Sequence, residues 1–197
     1  MCGRYYIDDE TSKEIEKILQ ELDKKNLGKS CKTGEIFPTD TVPILVAKGE
    51  NIEPDVLTWG FPNFQRKGVI INARSETAFK KPTFRQCLVS QRCVVVASGF
   101  YEWNKSKEKI LFTQPESNIM YMAGIYNLFQ NESRFVILTT AANNSINDVH
   151  DRMPLILSKE QIPIWLNDSR QTQTILNQVP ALLNKQSNYE QIKLNLD

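Results

Sequence analysis

Short apolar or β-branched runs bounded by turn residues fill the middle of this chain, and they constrain its fold more than any other feature. Runs of this kind are typical of β-strands. They cover residues 42–47, 69–71, 93–97, 110–112, 120–125 and 135–139. Helical segments do not alternate regularly with them, which argues against repeated βαβ units.

Helical patterns lie on both sides of this strand-rich centre. Near the start of the chain, Thr11 and Glu14 have the spacing of a capping box, and Gly28 is a suitable stop. Between them lies one apolar stripe, formed by Ile15, Ile18, Leu19 and Leu22. The sequence therefore predicts an amphipathic helix here.

Two later stretches also predict helices. Residues 77–90 have a helical pattern that breaks or starts near Pro82. From Ser158 onward the pattern returns to helix, with an inward face formed by Ile162, Trp165, Leu166, Ile175, Leu176 and Leu182. We therefore predict a single α+β domain over residues 1–197, with a curved, mostly antiparallel, barrel-like β-sheet core flanked by helices.

The composition argues against several other classes of protein. The 197 residues fit one hydrophobic core, and no apolar run approaches the ~18 residues of a membrane span. The N-terminal stretch lacks the apolar core of a signal peptide. The four cysteines lack the paired spacing of zinc sites, and histidine occurs once. We expect a cytoplasmic protein without a metal, another cofactor, disulfides or a membrane partner.

The net charge of +1 is unevenly distributed along the chain. The stretch from Trp59 to Cys93 carries +6 against −5 for the remainder, since its only acid is Glu76. Its basic residues are Arg66, Lys67, Arg74, Lys80, Lys81, Arg85 and Arg92, and they interleave with Trp59, Phe61, Phe64, Phe79 and Phe84. Cations for phosphates and rings for bases indicate single-stranded or distorted DNA binding. The alternative is a solvated basic surface with half of the rings in the core.

Cys2 directly follows the initiator methionine, which is normally removed before a small residue. Loss of Met1 leaves Cys2 with a free α-amine and a thiol on neighbouring carbons. The amine can condense with an aldehyde to an imine, and the thiol can then close a five-membered thiazolidine ring. Because the pKa of an α-amine is ~7.7–8.0 and that of a free thiol ~8.5, we expect usable nucleophilic fractions of both groups at neutral pH.

Three further segments carry candidate chemistry. Asn72 and Arg74 follow a predicted strand and project on one side while strand geometry lasts. Glu102 lies between Tyr101 and Trp103, and a carboxyl group desolvated by such neighbours is suited to proton transfer near neutral pH. The segment at residues 149–154 holds His150, the one histidine of the chain, which is either structural or a proton-transfer group.

Together these segments resemble the SOS response-associated peptidase family, the SRAP domain, whose members crosslink covalently to abasic sites in single-stranded DNA. The matching pieces lie at residues 1–4, 59–60, 72–77, 98–103 and 150–154, in the family's order. The chain departs from the family at residues 61–64, which read Phe-Pro-Asn-Phe instead of a longer Leu-Ile-Pro-Ser-Trp-like run. It also departs at residues 34–39, where Gly-Glu-Ile-Phe-Pro-Thr stands for a stretch resembling Asn-Ile-Ala-Pro-Thr.

The resemblance implies a role for each matching residue. Cys2 forms a thiazolidine with the aldehyde of a ring-opened abasic site, Glu102 shuttles protons, His150 handles a proton on the sugar oxygen or assists reversal, and Asn72 positions the reactants. Arg4 and Arg74 contact flanking phosphates. The wider DNA-binding surface is expected to include Trp59, Phe64, Lys80 and Arg85.

The resemblance also implies a monomer that needs no cofactor, acts on single-stranded DNA containing abasic sites, and is a bacterial-type, nucleoid-associated protein in use. Autocatalytic removal of Met1 and an abasic-site lyase side reaction are implied as well. Two alternatives stay open. One is a cysteine hydrolase with Cys2 as nucleophile, His150 as base and Asn72 or Glu102 as orienting group. The other is a DNA-binding module in which Cys2 is incidental.

Overall fold

The computed structural model describes residues 2–28 and 31–187. The strands in this part are β1 (Tyr5–Ile7), β2 (Gly34–Ile36), β3 (Thr41–Lys48), β4 (Asn51–Trp59), β5 (Phe61–Pro62), β6 (Val69–Ile70), β7 (Asn72–Arg74), β8 (Arg92–Ala97), β9 (Gly99–Trp103), β10 (Lys109–Thr113), β11 (Met120–Phe129), β12 (Glu132–Ala141), β13 (Arg152–Pro154), β14 (Ile156–Leu157) and β15 (Asn184–Ser187). The α-helices are α1 (Lys13–Lys24), α2 (Ser75–Ala78), α3 (Pro82–Ser90), α4 (Gln161–Asn167) and α5 (Thr172–Leu176).

A closed ring of five long strands forms the centre of the fold. Strands pair in the order β12, β4, β3, β8 and β11, and β11 pairs back onto β12. The pairings within the ring are antiparallel except that of β4 with β12. The predicted α+β class, with a curved and mostly antiparallel sheet, is confirmed. Each of these five strands pairs with a neighbour on both sides, so the middle of the ring has no unpaired sheet edge.

Strand β12 also collects the short strands that carry two of the predicted motifs. Its C-terminal half pairs in parallel with β7, Ile137 opposite Asn72 and Thr139 opposite Arg74. On its other side, residues 139–141 pair antiparallel with β13. The segments around Asn72 and His150 therefore meet at the same end of β12.

A second sheet carries the N-terminus and has the strand order β15, β10, β9, β1, β2. The chain passes from the ring into this sheet through Ser98, whose N–H donates to the Tyr6 carbonyl at 2.8 Å. Gly99 begins β9 at a point of close approach, since a Cβ there would lie 2.6 Å from the carbonyl oxygen of Phe112. A side chain at position 99 would push β9 away from β10.

Helix α1 forms as predicted, but both of its ends differ from the prediction. Its N-cap is Ser12, whose Oγ accepts from the Ile15 N–H at 3.4 Å, while Thr11 donates to Asp8 instead. Glu14 is not part of a capping box; its carboxylate accepts from Tyr121 and Lys159. The helix ends at Lys24. Asn26, two residues later, has a φ of 61°, a left-handed conformation that asparagine tolerates.

The later helical predictions are right in type and wrong in detail. The predicted break near Pro82 is confirmed: α2 ends at Ala78, and Pro82 is the first residue of α3, where its missing N–H is harmless. Leu182 was predicted to face inward from a helix, but it is exposed and lies outside the helices, while Leu183 is buried. The chain then forms β15 on the edge of the second sheet.

Arg92 belongs to the basic stretch in sequence but not to the surface. It is buried, and its guanidinium donates to the backbone carbonyls of Leu88, Val89, Trp165 and Leu166. Those carbonyls lie at the C-terminal ends of α3 and α4, where a cation satisfies acceptors that the helices leave unpaired. Arg92 therefore ties two helices to the ring and is not available to DNA.

The longest described helix is α1, with 12 residues. In residues 2–28 and 31–187 there is accordingly no helix with the length and apolar character needed to cross a membrane.

Candidate active site

Cys2 is buried immediately ahead of β1 and is held by its main chain. The side-chain amide of Asn72 donates from Nδ2 to the Cys2 carbonyl oxygen at 2.8 Å. The Cys2 thiol makes a long contact of 4.0 Å to the Arg4 carbonyl oxygen. Cys2 and Asn72, which are 70 positions apart in the sequence, are therefore in direct contact. Met1 lies outside the described residues, so its removal stays a prediction.

Glu102 faces the same place from β9. Tyr5 pairs with Phe100, and the Tyr101 N–H donates to the Arg4 carbonyl at 2.9 Å, so continuing this register puts Gly3 opposite Glu102. Glu102 is buried like Cys2. Burial, and then the charge of the Glu102 carboxylate, raise the pKa of the Cys2 thiol far above its usual value.

The surroundings of Cys2 bear on the state of its thiol. The sequence analysis expects a usable thiolate fraction once Met1 is removed; while Met1 is attached, burial and the Glu102 charge raise the pKa of the thiol, so that it is protonated at neutral pH. A reaction of this sulfur consequently needs a base that removes its proton as the bond forms. Glu102 is the predicted base, and this role stays a prediction.

Asn72 has a second polar atom directed into the protein. Its Oδ1 is buried without a hydrogen-bond partner among the described residues. An amide oxygen in that position lacks a donor, which costs free energy unless a ligand or water supplies one. Ala73 packs in the core, whereas Arg74 projects outward at the end of β7.

A bidentate ion pair joins the two motifs that meet on β12. Arg152 donates from Nη1 and Nη2 to the Glu76 carboxylate at 2.7 and 2.9 Å. Its Nη2 also donates to the Thr139 carbonyl at 2.6 Å. Fork-shaped pairing of this kind fixes relative orientation as well as distance. It anchors the segment of His150 to the segment of Asn72.

His150 lies just before β13, and its side chain is oriented by its neighbours. Its Nδ1 accepts from the Arg152 N–H at 3.0 Å and lies 2.9 Å from the exposed carboxylate of Asp151. An Nδ1 that accepts the backbone hydrogen cannot also donate to Asp151, so the neutral ring carries its proton on Nε2.

Arg4 lies in a cluster that the sequence did not reveal. We define the Arg4 cluster as Arg4, Glu35, Phe37, Trp103 and Lys109. Arg4 Nη1 and Lys109 Nζ both donate to Glu35 Oε1, at 3.1 and 2.5 Å. The Arg4 guanidinium lies over the rings of Phe37 and Trp103, 3.9 and 5.3 Å from their centres. Glu35, Phe37 and Lys109 were missed because they come from β2, its end and β10, whose pairing no local sequence signal indicates.

The expected DNA-binding residues fall into two groups. Trp59 was predicted to contact DNA, but it is a core residue: its indole N–H donates to the Ile71 carbonyl at 3.0 Å, and its ring stacks on Phe135. Phe61 and Phe84 are buried with it. The exposed candidates are Phe64, Arg74, Lys80 and Arg85. Phe64 is 84% exposed, which is unusual for a phenylalanine and leaves its ring open to a partner.

The described residues include no group of three or more His, Cys, Asp or Glu side chains that could hold a metal ion. What they bring together is a buried thiol, a carboxylate beside it and an amide that binds the main chain of the thiol's own residue. These groups suit nucleophilic attack coupled to proton transfer. Whether Lys80 and Arg85 belong to the same surface stays a prediction.

Comparison with known proteins agrees with the motif resemblance. The SOS response associated peptidase (SRAP) family profile matches residues 1–194. The chain is 33% identical to the abasic site processing protein YoqW of Bacillus subtilis, over 85% of this chain and 80% of that protein. It is 28% identical to the abasic site processing protein YedK of Escherichia coli, over 84% and 79%. A crystal structure of a Bacteroides thetaiotaomicron protein matches with a TM-score of 0.77 at 22% identity, covering 94% and 91%, which shows a shared fold.

Proposed function

This chain belongs to the SOS response associated peptidase family, and from that premise we propose that it binds single-stranded DNA at abasic sites and links itself covalently to them. The lesion is shielded as a thiazolidine between Cys2 and the ring-opened sugar. The observation that carries the proposal is the contact between Asn72 and the Cys2 carbonyl, with Glu102 close enough to raise the pKa of the Cys2 thiol.

The reaction proceeds in two bond-forming steps. The α-amine of Cys2, once Met1 is removed, adds to the C1′ aldehyde, and the resulting carbinolamine loses one water to give an imine. The Cys2 sulfur then adds to the imine carbon, and its proton passes to the nitrogen, closing the five-membered ring. The product has the mass of the protein plus the DNA less one water.

Each neighbour of Cys2 has a part in these steps. Glu102 supplies a proton for loss of water and accepts the thiol proton during ring closure, which a protonated thiol requires. Asn72 holds the Cys2 main chain, and its open Oδ1 accepts from the reacting amine. His150 handles a proton on the sugar oxygen or assists reversal of the link.

The surrounding surface supports a DNA partner. Arg74 is exposed at the end of β7, and no ion pair holds it among the described residues, so it is free to contact a phosphate beside the lesion. Phe64 offers an exposed ring for stacking. We further propose that the protein acts as a cytoplasmic monomer, removes Met1 autocatalytically, and has a lyase side activity when the imine undergoes β-elimination before ring closure.

The cysteine hydrolase alternative has less support. A hydrolase nucleophile needs a lowered thiol pKa, usually from a neighbouring cation. Cys2 has a buried carboxylate beside it instead, and its pKa is raised. Attack on an imine already formed on the same residue is intramolecular, and this proximity compensates for a thiol that starts protonated.

Intact-mass measurement tests the proposed function directly. The purified protein is incubated with an oligonucleotide carrying one abasic site, without reductant, and denatured by heat. We expect a species with the summed mass of DNA and protein lacking Met1, less one water. An undamaged oligonucleotide is the control. If only the separate masses are recovered, the crosslinking function is wrong.

Arg74→Ala should weaken binding to undamaged single strands and flatten its salt dependence. Loss of one phosphate contact reduces the slope of log affinity against log salt by about 0.7. Fluorescence anisotropy over a salt series measures both quantities. Arg170→Ala is the matched control, because Arg170 is exposed but paired with Asp168 in the helical C-terminal region. Unchanged affinity and slope for Arg74→Ala would remove it from the phosphate contacts.

Asn72→Ala should slow adduct formation by about tenfold, the upper effect of one ordinary hydrogen bond on a rate. The protein should stay folded, since Asn72 lies at the end of the sheet and not in the core. The rate is followed by denaturing gel electrophoresis at saturating DNA. A wild-type rate would show that the bond to the Cys2 carbonyl does not position the reactants.

A further inference from the structure

The Arg4 cluster contains an interaction that crosslinking chemistry does not require. A single carboxylate oxygen of Glu35 accepts from two cations that come from different parts of the second sheet, Arg4 ahead of β1 and Lys109 at the start of β10. All three side chains are partly exposed, at about a third of their surface. The hydrogen bond from Lys109, together with Arg4, lowers the pKa of Glu35, so its carboxylate is charged at neutral pH.

The arginine in this cluster is fixed in position. Its guanidinium lies over two rings, 3.9 Å from the centre of Phe37 and 5.3 Å from that of Trp103. Both rings are themselves partly exposed, so the cluster is at the surface. Contact with two rings restrains the guanidinium. A phosphate that takes both Arg4 Nη1 and Lys109 Nζ must come to the place where the Glu35 oxygen now lies.

We propose that Glu35 is an internal competitor that occupies the phosphate position at Arg4 and Lys109. An oxygen accepting from an arginine and a lysine has the geometry of a bound phosphate oxygen. With Glu35 in place the three charges sum to +1, and an incoming strand must displace the carboxylate before it gains either cation. The inference rests on the proposed function, since it takes single-stranded DNA as the ligand.

The competitor has a specific consequence for selectivity. Undamaged DNA gains only the net attraction that remains after Glu35 is displaced, so it binds weakly and leaves quickly. A strand with an abasic site pays the same electrostatic cost and is then retained by the covalent bond at Cys2. Glu35 thus sets how long an undamaged strand stays bound, and the covalent step then separates lesion-bearing from undamaged strands.

Glu35→Gln tests this role, with Glu53→Gln as its matched control. Gln keeps an oxygen that can accept from Arg4 and removes the charge. Glu53 pairs with Lys25 at 2.8 Å beside α1, so its substitution changes the net charge equally but leaves the Arg4 cluster intact. Affinity for an undamaged thymidine oligonucleotide is measured by fluorescence anisotropy over a salt series. Thermal melting confirms that each variant is folded.

We expect Glu35→Gln to bind the oligonucleotide about fivefold more tightly than wild type at low salt, the effect of one unit charge about 4 Å from a phosphate in water. Its salt slope should be steeper by about 0.7, so that this advantage shrinks about 2.6-fold between about 50 and 200 mM salt. Glu53→Gln should show neither the tighter binding nor the steeper slope. Glu35→Ala should reproduce the steeper slope, which keeps the test decisive if the Gln side chain disturbs Arg4.

Two outcomes overturn the inference. Weaker binding by both Glu35 variants would mean that Glu35 orients Arg4 for DNA. Equal slopes for the Glu35 and Glu53 variants would mean that the cluster does not meet phosphates. The proposed function fails separately: if wild type forms no adduct with an abasic oligonucleotide while the Glu35 variants still bind undamaged strands more tightly, the chemistry is wrong and the competitor role stands.

Discussion

Replacing Cys2 with alanine is expected to abolish the heat-stable adduct while leaving binding to undamaged single strands nearly unchanged. Alanine keeps the α-amine but has no group that can close a ring on the imine carbon. The imine hydrolyses on heating, so no linked species survives denaturation. Denaturing gels and intact-mass measurement follow the adduct, and anisotropy follows the binding.

Two companion variants separate the two nucleophiles of Cys2. Cys2→Ser keeps the α-amine and supplies a hydroxyl, a much poorer ring-closing group, so its link should be trapped by borohydride and otherwise lost on heating. It should also cleave the strand more, because the imine persists. A variant with uncleaved residues ahead of Cys2 has an amide in place of the amine and should give neither adduct nor cleavage.

Cys31→Ser is the matched control for these variants. Cys31 is half-buried, and desolvation raises the pKa of its thiol to about 12, so it too is a protonated thiol. It is not part of the contacts around Cys2, and its substitution should leave the adduct at wild-type yield.

The variant with uncleaved residues ahead of Cys2 decides the mechanism. If it still crosslinked, the thiol alone would be the nucleophile and the thiazolidine mechanism would be wrong.

Glu102→Gln is expected to slow adduct formation by ~10²–10⁴-fold, the usual contribution of one positioned acid or base. The amide preserves the shape of the side chain but cannot take the proton from the Cys2 thiol. In the wild type, burial and the charge of Glu102 raise the pKa of this thiol. In the variant this proton must pass to solvent, so the residual rate should increase with pH. Single-turnover rates measured between mildly acidic and mildly alkaline pH give both results.

Glu108→Gln controls for loss of a carboxylate in the same part of the second sheet. Glu108 is exposed in the turn between β9 and β10, where it accepts from Asn104 at 2.6 Å. We expect it to react at the wild-type rate. Should Glu102→Gln do the same at every pH, Glu102 is a buried structural carboxylate and takes no part in proton transfer.

The strands with uninterrupted apolar patterns were predictable from sequence, and the polar ones were not. Residues 120–125 and 135–139 correspond to the buried parts of β11 and β12. Strand β4 was missed because its first half contains Glu53, Pro54 and Asp55, which disfavour strand on propensity alone. Pairing with β3 along its whole length overrides that preference. Tertiary contacts determine whether such segments form strands, and these contacts leave no local pattern in a single sequence.

The candidate site shows the same division. The motifs identify the residues around Cys2 because each carries unusual chemistry in a short segment. Trp59 was misassigned because a ring beside basic residues can either contact DNA or pack in the core. The packing of Phe135 against Trp59, which places it in the core, is visible only in the structure. The departure at residues 34–39 did not single out Glu35, since its importance comes from two partners, at positions 4 and 109, that the sheet brings to it.

The hydrogen bond from Asn72 has a consequence for chemical redesign, because it ends on the main-chain carbonyl of residue 2 and not on the side chain. A residue whose side chain fits the buried position of Cys2 can accept the same bond through its main chain, so its α-nitrogen keeps its place relative to Glu102. The first nucleophile, the α-amine, belongs to the main chain, whereas the ring-closing group belongs to the side chain and can be exchanged. A homologue of cysteine with one more methylene, or a selenol, could therefore be installed there to change ring size or leaving tendency without moving the first nucleophile.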